Sequence, residues 1–289
     1  MKIVLTGATG KLGGVLRRQW GGWHELVVLD RNRADLNDPD AARRSLDGVD
    51  FDALVNCAAC SSPEQCEADP GEARRVNAEA PEALARLCRD RQARLVHFSS
   101  DYVLAGEEPG LKDENAPTGP INEYGRSKLE GEQRVLEADP SALVCRVSWV
   151  YNTEPPAFFE SVLRRAMADE PLEAVGDKFS MPCCAKRIAR TVMALLRRRD
   201  ACGVFHLAPC GEPQSWHSYA CKVVELAHAE GLLDEVKEVR EKRLADLPQL
   251  AAPRPRHTAM HPGRLRDEPG WAPGTFEEDA RARIRELLV

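Results

Sequence analysis

Short apolar runs and longer amphipathic stretches alternate along the first half of the chain. Runs at 2–6, 25–29, 53–57, 94–99 and 143–147 have the near-continuous apolar character of strands buried on both faces of a parallel sheet. Between them, 12–20, 40–46, 70–89 and 123–137 place apolar residues at about every third or fourth position, the spacing of one helical face. Repeated strand and helix predict an α/β protein with a Rossmann-type doubly wound parallel sheet. Such sheets receive ligands at the carboxyl ends of their strands.

After Tyr151 the pattern loosens. Pro155 and Pro156 interrupt the chain, 158–167 reads as a helix, 185–198 as a basic amphipathic helix, 204–207 as a strand and 215–231 as a helix, before a stretch rich in proline and arginine at 251–273. The expectation is a Rossmann domain over 1–150, to which 185–207 returns, and a smaller mixed α/β substrate-binding lobe over 151–289. That lobe would close over the crevice of the first.

Composition narrows the class. A chain of 289 residues with 43% hydrophobic content can bury a sizeable core. The net charge of -6, with acids and bases interspersed, argues against nucleic acid or an anionic membrane as partner. The first apolar run is too short for a signal peptide and no run reaches membrane-spanning length, so a cytoplasmic address is expected. The 10 cysteines fall mostly in apolar or helical stretches, where reduced thiols act as small hydrophobes. Cys57 and Cys60 make a C-x-x-C near Cys66, and Cys183 adjoins Cys184, but these lack the matched pairs of a structural zinc site. No metal is expected.

The candidate chemistry begins where the first strand meets the first helix. In TGATGKLG, Gly7, Gly10 and Gly13 recur at three-residue intervals together with Thr9, Lys11 and Leu12. Glycines there permit a tight turn and a close backbone approach to a pyrophosphate, and the helix N-terminus supplies unpaired N–H donors. The string alone is also that of an ordinary glycine-rich turn; its strand-to-helix context points to a nucleotide. The second strand leads into Asp30, positioned to accept from an adenosine ribose, and Arg31 follows. The acid favours NAD, whereas the guanidinium would suit the 2′-phosphate of NADP.

A second cluster lies in SSDYV and EYGRSKLEGE. Tyr124 and Lys128 are four residues apart, on one face of a helix. A phenol of unperturbed pKa about 10 transfers protons poorly at neutral pH unless its anion is favoured, and a nearby ammonium favours it. Ser99 and Ser100 end the fourth strand, where a hydroxyl can donate to a substrate carbonyl while Tyr124 handles the proton.

Taken together, TGATGKLG, VNCAA, VNAEAP, SSDYV, EYGRSKLEGE and RVSWVY resemble the extended short-chain dehydrogenase/reductase superfamily, most closely the dTDP-4-dehydrorhamnose reductases, and RPRHTAM is similar to that family's C-terminal substrate motif. The resemblance implies NADPH or NADH as cofactor, a nucleotide-sugar substrate, and a chain that can form a homodimer. It implies that Tyr124 protonates the C4 oxygen and that Lys128 binds the nicotinamide ribose and lowers the tyrosine pKa, with Ser100 where the family usually has threonine. Asp35 and Leu36 would border the adenine. Cys57, Ala58 and Ala59 would form the backbone strip beneath the cofactor, with Asn77 and Ser99 also on that side. Asp101, Tyr102, Trp149 and Arg254 would serve the substrate.

The chain departs from the pattern at Cys60, Ser61, Pro63 and Glu64, at Ser180 to Cys183, and at Leu104, which replaces a phenylalanine. Val15 stands where some members carry a glutamate linked to a magnesium-bridged dimer, so no magnesium site is inferred. Two other readings share these motifs: a regulatory subunit without turnover, similar to the methionine adenosyltransferase regulatory protein, and a sugar-nucleotide epimerase or dehydratase.

Overall fold

The computed structural model describes residues 1–38, 40–266, 271 and 274–288. Its strands are β1 (Lys2–Thr6), β2 (Glu25–Leu29), β3 (Ala53–Asn56), β4 (Arg94–Ser100), β5 (Leu143–Val147), β6 (Leu172–Val175), β7 (Phe179–Ser180), β8 (Gly203–His206), β9 (Gln214–Ser215) and β10 (Val239–Lys242). Six of them form a parallel sheet in the order β2-β1-β3-β4-β5-β8. The chain runs outward from β1 to β2 and then returns to β3 on the other side. Strand order reverses at that point, and a crevice opens there beyond the carboxyl ends.

The helices are α1 (Lys11–Trp20), α2 (Ala41–Ser45), α3 (Pro63–Ala68), α4 (Pro70–Arg74), α5 (Ala80–Asp90), α6 (Glu123–Ala138), α7 (Phe158–Met167), α8 (Ala185–Leu196), α9 (Trp216–Ala229), α10 (Gly263–Arg266) and α11 (Phe276–Leu287). Alternate residues of each central strand serve opposite faces. Ile3, Leu5, Val55 and Val96 pack with Leu16 and Trp20 of α1 and Ile188 and Val192 of α8. Val4, Leu54, Leu95 and Val144 pack with Leu84 and Leu87 of α5 and Val135 of α6. Both faces are therefore covered, which is why the strands read as unbroken apolar runs.

A separate core holds α7, α9 and α11 against the β6–β10 pair, through Phe159, Val162, Tyr219, Val223, Phe276 and Ile284. Its aromatic rings meet closely, Tyr151 with Phe159 at 4.9 Å and Tyr219 with Phe276 at 5.0 Å between centroids. The stretch 251–273 was expected within this lobe. Residues 267–270 and 272–273 of it lie outside the described residues; the rest crosses back to the sheet, where Ala259, Met260 and Leu265 join the first core and the Arg264 guanidinium lies 4.2 Å from the Phe205 ring centre. Among the described residues no helix is long and apolar enough to cross a membrane.

Candidate active site

A crevice of about 960 Å³ runs along the carboxyl end of the sheet. At one end it is built mainly from backbone. Gly7 follows β1 with φ of +63°, a left-handed conformation that glycine adopts without strain, and a Cβ there would come within 2.6 Å of the backbone of Cys57 and Ala58. The Gly10 N–H closes the turn on the Gly7 carbonyl at 2.9 Å. Gly10 then caps α1 with no side-chain bond, leaving the first amides of that helix directed at the crevice wall formed by Thr9, Gly10, Lys11 and Leu12. Gly13 lies behind this wall. A Cβ on it would fall 2.2 Å from the Gly7 carbonyl oxygen, so its absence lets helix and loop touch.

Asp30, Arg31, Asp35 and Leu36 line the rim beside this loop, and Cys57, Ala58 and Ala59 form the floor. Arg31 is exposed, while the Asp30 carboxylate accepts the Arg33 amide at 3.0 Å. Asn77 sits in a π-helical turn, Arg75–Glu79, and does not line the crevice. Its side chain grips Cys60 on both sides, accepting from the Cys60 N–H and donating to the Cys60 carbonyl, each at 2.9 Å. The same amide donates to Ser127 at 3.0 Å, tying the floor loop to α6.

The other end is built from buried side chains. Helix α6 starts at Asn122, whose Oδ1 accepts the Gly125 amide at 2.7 Å and whose Nδ2 donates to the Pro253 carbonyl at 2.7 Å. Further along, Glu132 accepts two hydrogen bonds from Arg146 of β5, at 2.8 and 2.7 Å, with both side chains only 4% exposed. This pair locks the helix to the sheet. Tyr124 and Lys128 then face the crevice from α6, opposite Ser99, Trp149 and Trp216.

Lys128 donates to the Phe98 carbonyl at 2.6 Å and lies 3.3 Å from His97 Nε2. Burial lowers its pKa to about 8. Burial likewise pushes the Tyr124 phenol up to about 12; its hydrogen bond with Ser100 acts the other way, and the Asp101 carboxylate adds to the rise. The expected lowering of the phenol pKa by Lys128 is thus not realised in this geometry, because desolvation dominates and the amine is engaged with Phe98 and His97. The Ser99 hydroxyl is buried with no hydrogen-bond partner among the described residues and faces the crevice.

Ser100, Asp101, Tyr102 and Arg254 stand behind the lining. Ser100 donates to Asp101 Oδ1 at 3.1 Å, and Asp101 Oδ2 accepts from Ser180 at 2.9 Å and Thr258 at 2.5 Å. Tyr102 meets Tyr124 edge-on at 5.5 Å. Arg254 pairs with Glu64 at 2.7 Å and donates to the Ala252 carbonyl at 2.9 Å. Trp149 adopts φ of +40°, a costly conformation for an aromatic residue, and packs on Trp216 and Tyr219 at 5.6 and 6.1 Å.

Sequence reasoning missed Lys178, which is wholly buried, donates to the Pro255 carbonyl at 2.9 Å and lies over the Tyr102 and Trp149 rings at 4.8 and 5.7 Å. It also missed the chain Asn56–His97 behind Lys128. A histidine within the apolar run of β4 was the available signal, since an imidazole there must find partners.

Comparison with known proteins agrees with this geometry. The family model described as the RmlD substrate binding domain matches residues 1–289. The dTDP-4-dehydrorhamnose reductase of Sinorhizobium fredii is 32% identical, over 100% of this chain and 98% of the relative. The enzyme of that name from Burkholderia thailandensis is 33% identical over 100% and 99%. The crystal structure of a dTDP-4-dehydrorhamnose reductase from Clostridium acetobutylicum superposes with a TM-score of 0.90, covering 100% of each chain at 26% identity. With a glycine loop at one end of its crevice, a tyrosine–lysine pair at the other and a match along its whole length, the chain belongs to the RmlD substrate binding domain family.

Proposed function

We propose that the protein is an NAD(P)H-dependent oxidoreductase that reduces the 4-keto group of a nucleotide-linked deoxysugar, with dTDP-4-dehydrorhamnose the favoured substrate and dTDP-rhamnose the product. The observation that carries this reading is the single crevice joining the glycine loop to Tyr124 and Lys128. A dinucleotide held by its pyrophosphate at the loop would extend toward the phenol. Bound there, the nicotinamide supplies the hydride.

The chain's own residues do the rest. The first amides of α1 and the Gly7–Gly13 loop take the pyrophosphate, Asp30 accepts from the adenosine ribose, and Arg31 meets a 2′-phosphate where there is one. Lys128 reaches the nicotinamide ribose. Tyr124 gives its proton to the C4 oxygen of the sugar; its phenol, raised by burial to about 12, is protonated at pH 7 as an ordinary phenol is. The Ser99 hydroxyl hydrogen-bonds the same oxygen, and Ser100, behind the lining, acts on it through its hydrogen bond with Tyr124. Trp149, Trp216 and Phe158 offer flat faces to the sugar nucleotide from the side of the second lobe.

In this reading, 1–150 with 185–207 hold the cofactor, and 151–289 supply most of the sugar site. We place the protein in the cytoplasm, where its free thiols stay reduced, and assign it a homodimer, which light scattering during gel filtration tests. The test of activity is NADPH oxidation followed with dTDP-4-dehydrorhamnose and a panel of related 4-keto sugar nucleotides. Turnover by wild type and its loss in Tyr124→Phe support the reading. Tight NADPH binding with no oxidation by any of them would overturn it in favour of a binding protein.

A further inference from the structure

The hydrogen-bond polarity behind Lys128 can be read outward from a backbone amide. The Ala58 N–H is a donor in every protonation state, and it points at Asn56 Oδ1 at 3.2 Å, while the Thr6 hydroxyl donates to the same oxygen at 2.6 Å. The amide oxygen of Asn56 is therefore on that side. Its NH₂ is left facing His97 Nδ1 at 3.1 Å, and an amide nitrogen only donates. Nδ1 must then be the bare, accepting nitrogen. A neutral imidazole with a bare Nδ1 carries its proton on Nε2, which lies 3.3 Å from Lys128 Nζ. The N–H meets an amine that already donates to the Phe98 carbonyl at 2.6 Å. Facing an ammonium, this N–H would oppose another N–H; facing a free amine, it finds a lone pair.

We propose that His97 is a positioning residue that presents Nε2–H to Lys128 and favours its free amine in the protein by itself, so that in alkaline solution binding of the dinucleotide takes up a proton at this lysine. The second half of this statement rests on the dinucleotide reading above. The remaining groups around Lys128 are few. Cys57 faces it from the loop after β3 and Cys66 from α3, both thiols that burial keeps protonated. From its own helix come Tyr124, whose phenol is neutral at pH 7, and Glu132, whose charge is matched by Arg146. None outweighs burial, and the lysine is lowered to about 8. Burial also keeps His97 well below its ordinary value, so the imidazole does not gain a second proton.

The experiment is spectroscopic. In ¹⁵N-histidine long-range correlation spectra of the wild type, with His97 assigned through bonds, Nε2 is expected to carry the proton and Nδ1 to be bare; a proton on Nδ1 overturns the proposal. Titration of ¹³Cε-labelled lysine, with the Lys128 signal identified by its loss in Lys128→Met, is expected to give a midpoint near 8; a midpoint above about 10, the ordinary range, overturns it. Asn56→Asp puts an acceptor beside Nδ1, which moves the imidazole proton there and turns the Nε2 lone pair toward the lysine. Its Lys128 midpoint is expected to rise by at least about one unit. A reversed tautomer with an unmoved midpoint removes His97 from the role. If Asn56→Asp does not fold, calorimetry on the wild type decides: at pH 9, in buffers of different ionisation enthalpy, NADPH binding is expected to take up about 0.9 proton per site, and binding without uptake overturns the proposal. Absence of NADPH binding would instead defeat the dinucleotide reading, while the two wild-type spectra still judge His97.

Discussion

The two ends of the crevice are made on opposite principles. The loop end works by omission: Gly7, Gly10 and Gly13 clear side chains from a path so that backbone amides can reach a ligand. The phenol end works by accumulation, with Tyr124 and Lys128 held by a helix cap on Pro253, a buried ion pair to β5 and hydrogen bonds to β4. An omission is local and tolerates its surroundings. An accumulation depends on segments more than a hundred positions apart and can be broken from any of them.

Removing one oxygen separates the ends most sharply. Tyr124→Phe keeps the ring against Tyr102 yet deletes the transferable proton, so kcat should fall by roughly 10²–10⁴-fold while the NADPH Kd measured by calorimetry stays within about twofold. An equal fall in affinity would mean that the ends are not independent. Glu132→Ala attacks the support instead of the chemistry. It leaves the Arg146 guanidinium buried and uncompensated, and urea denaturation should show a loss of about 3–5 kcal/mol. A loss under about 1 kcal/mol would show that α6 is held by packing alone.

At the loop end, Gly13→Ala places a methyl 2.2 Å from the Gly7 carbonyl and should cost about 1–3 kcal/mol of stability together with NADPH affinity. Gly10→Ala meets its nearest atom at 3.3 Å and should perturb affinity much less. Matching effects from the two would contradict the division between a glycine that packs and a glycine that borders the ligand. The smallest change is expected from Arg31→Ala. An exposed guanidinium is worth about 1 kcal/mol against a phosphate, so NADPH should weaken roughly fivefold more than NADH, and equal weakening would leave Arg31 a solvated rim residue.

This contrast also explains what the sequence disclosed. The parallel sheet was legible because both of its faces are covered, which turns each strand into an apolar run. The loop was legible because glycine spacing records an omission directly. Tyr124 and Lys128 were legible as a pair because helical spacing puts them on one face, and both line the crevice. Their environment was not. Nothing in local spacing tells that Ser180 and Thr258 converge on Asp101, that Lys178 lies against both Tyr102 and Trp149, or that the Pro253 carbonyl holds the Asn122 cap of α6. Those contacts come from tertiary paths through loops, and burial then reverses an expectation drawn from charge alone, leaving the tyrosine pKa raised rather than lowered.

The return of residues 254–266 to the sheet has a consequence for the order in which the molecule is completed. During synthesis the glycine loop, Asp101 and the Tyr124–Lys128 helix leave the ribosome early, and the sheet through β8 can form before the tail arrives. Asp101 at that stage lacks the Thr258 hydroxyl, Lys178 lacks the Pro255 carbonyl and Asn122 lacks that of Pro253. A buried carboxylate and a buried amine short of a partner are each unfavourable, so docking of this segment stabilises the phenol end. Residues 253–258 thus act as a latch, without which Asp101, Lys178 and Asn122 each lack one of their hydrogen-bond partners.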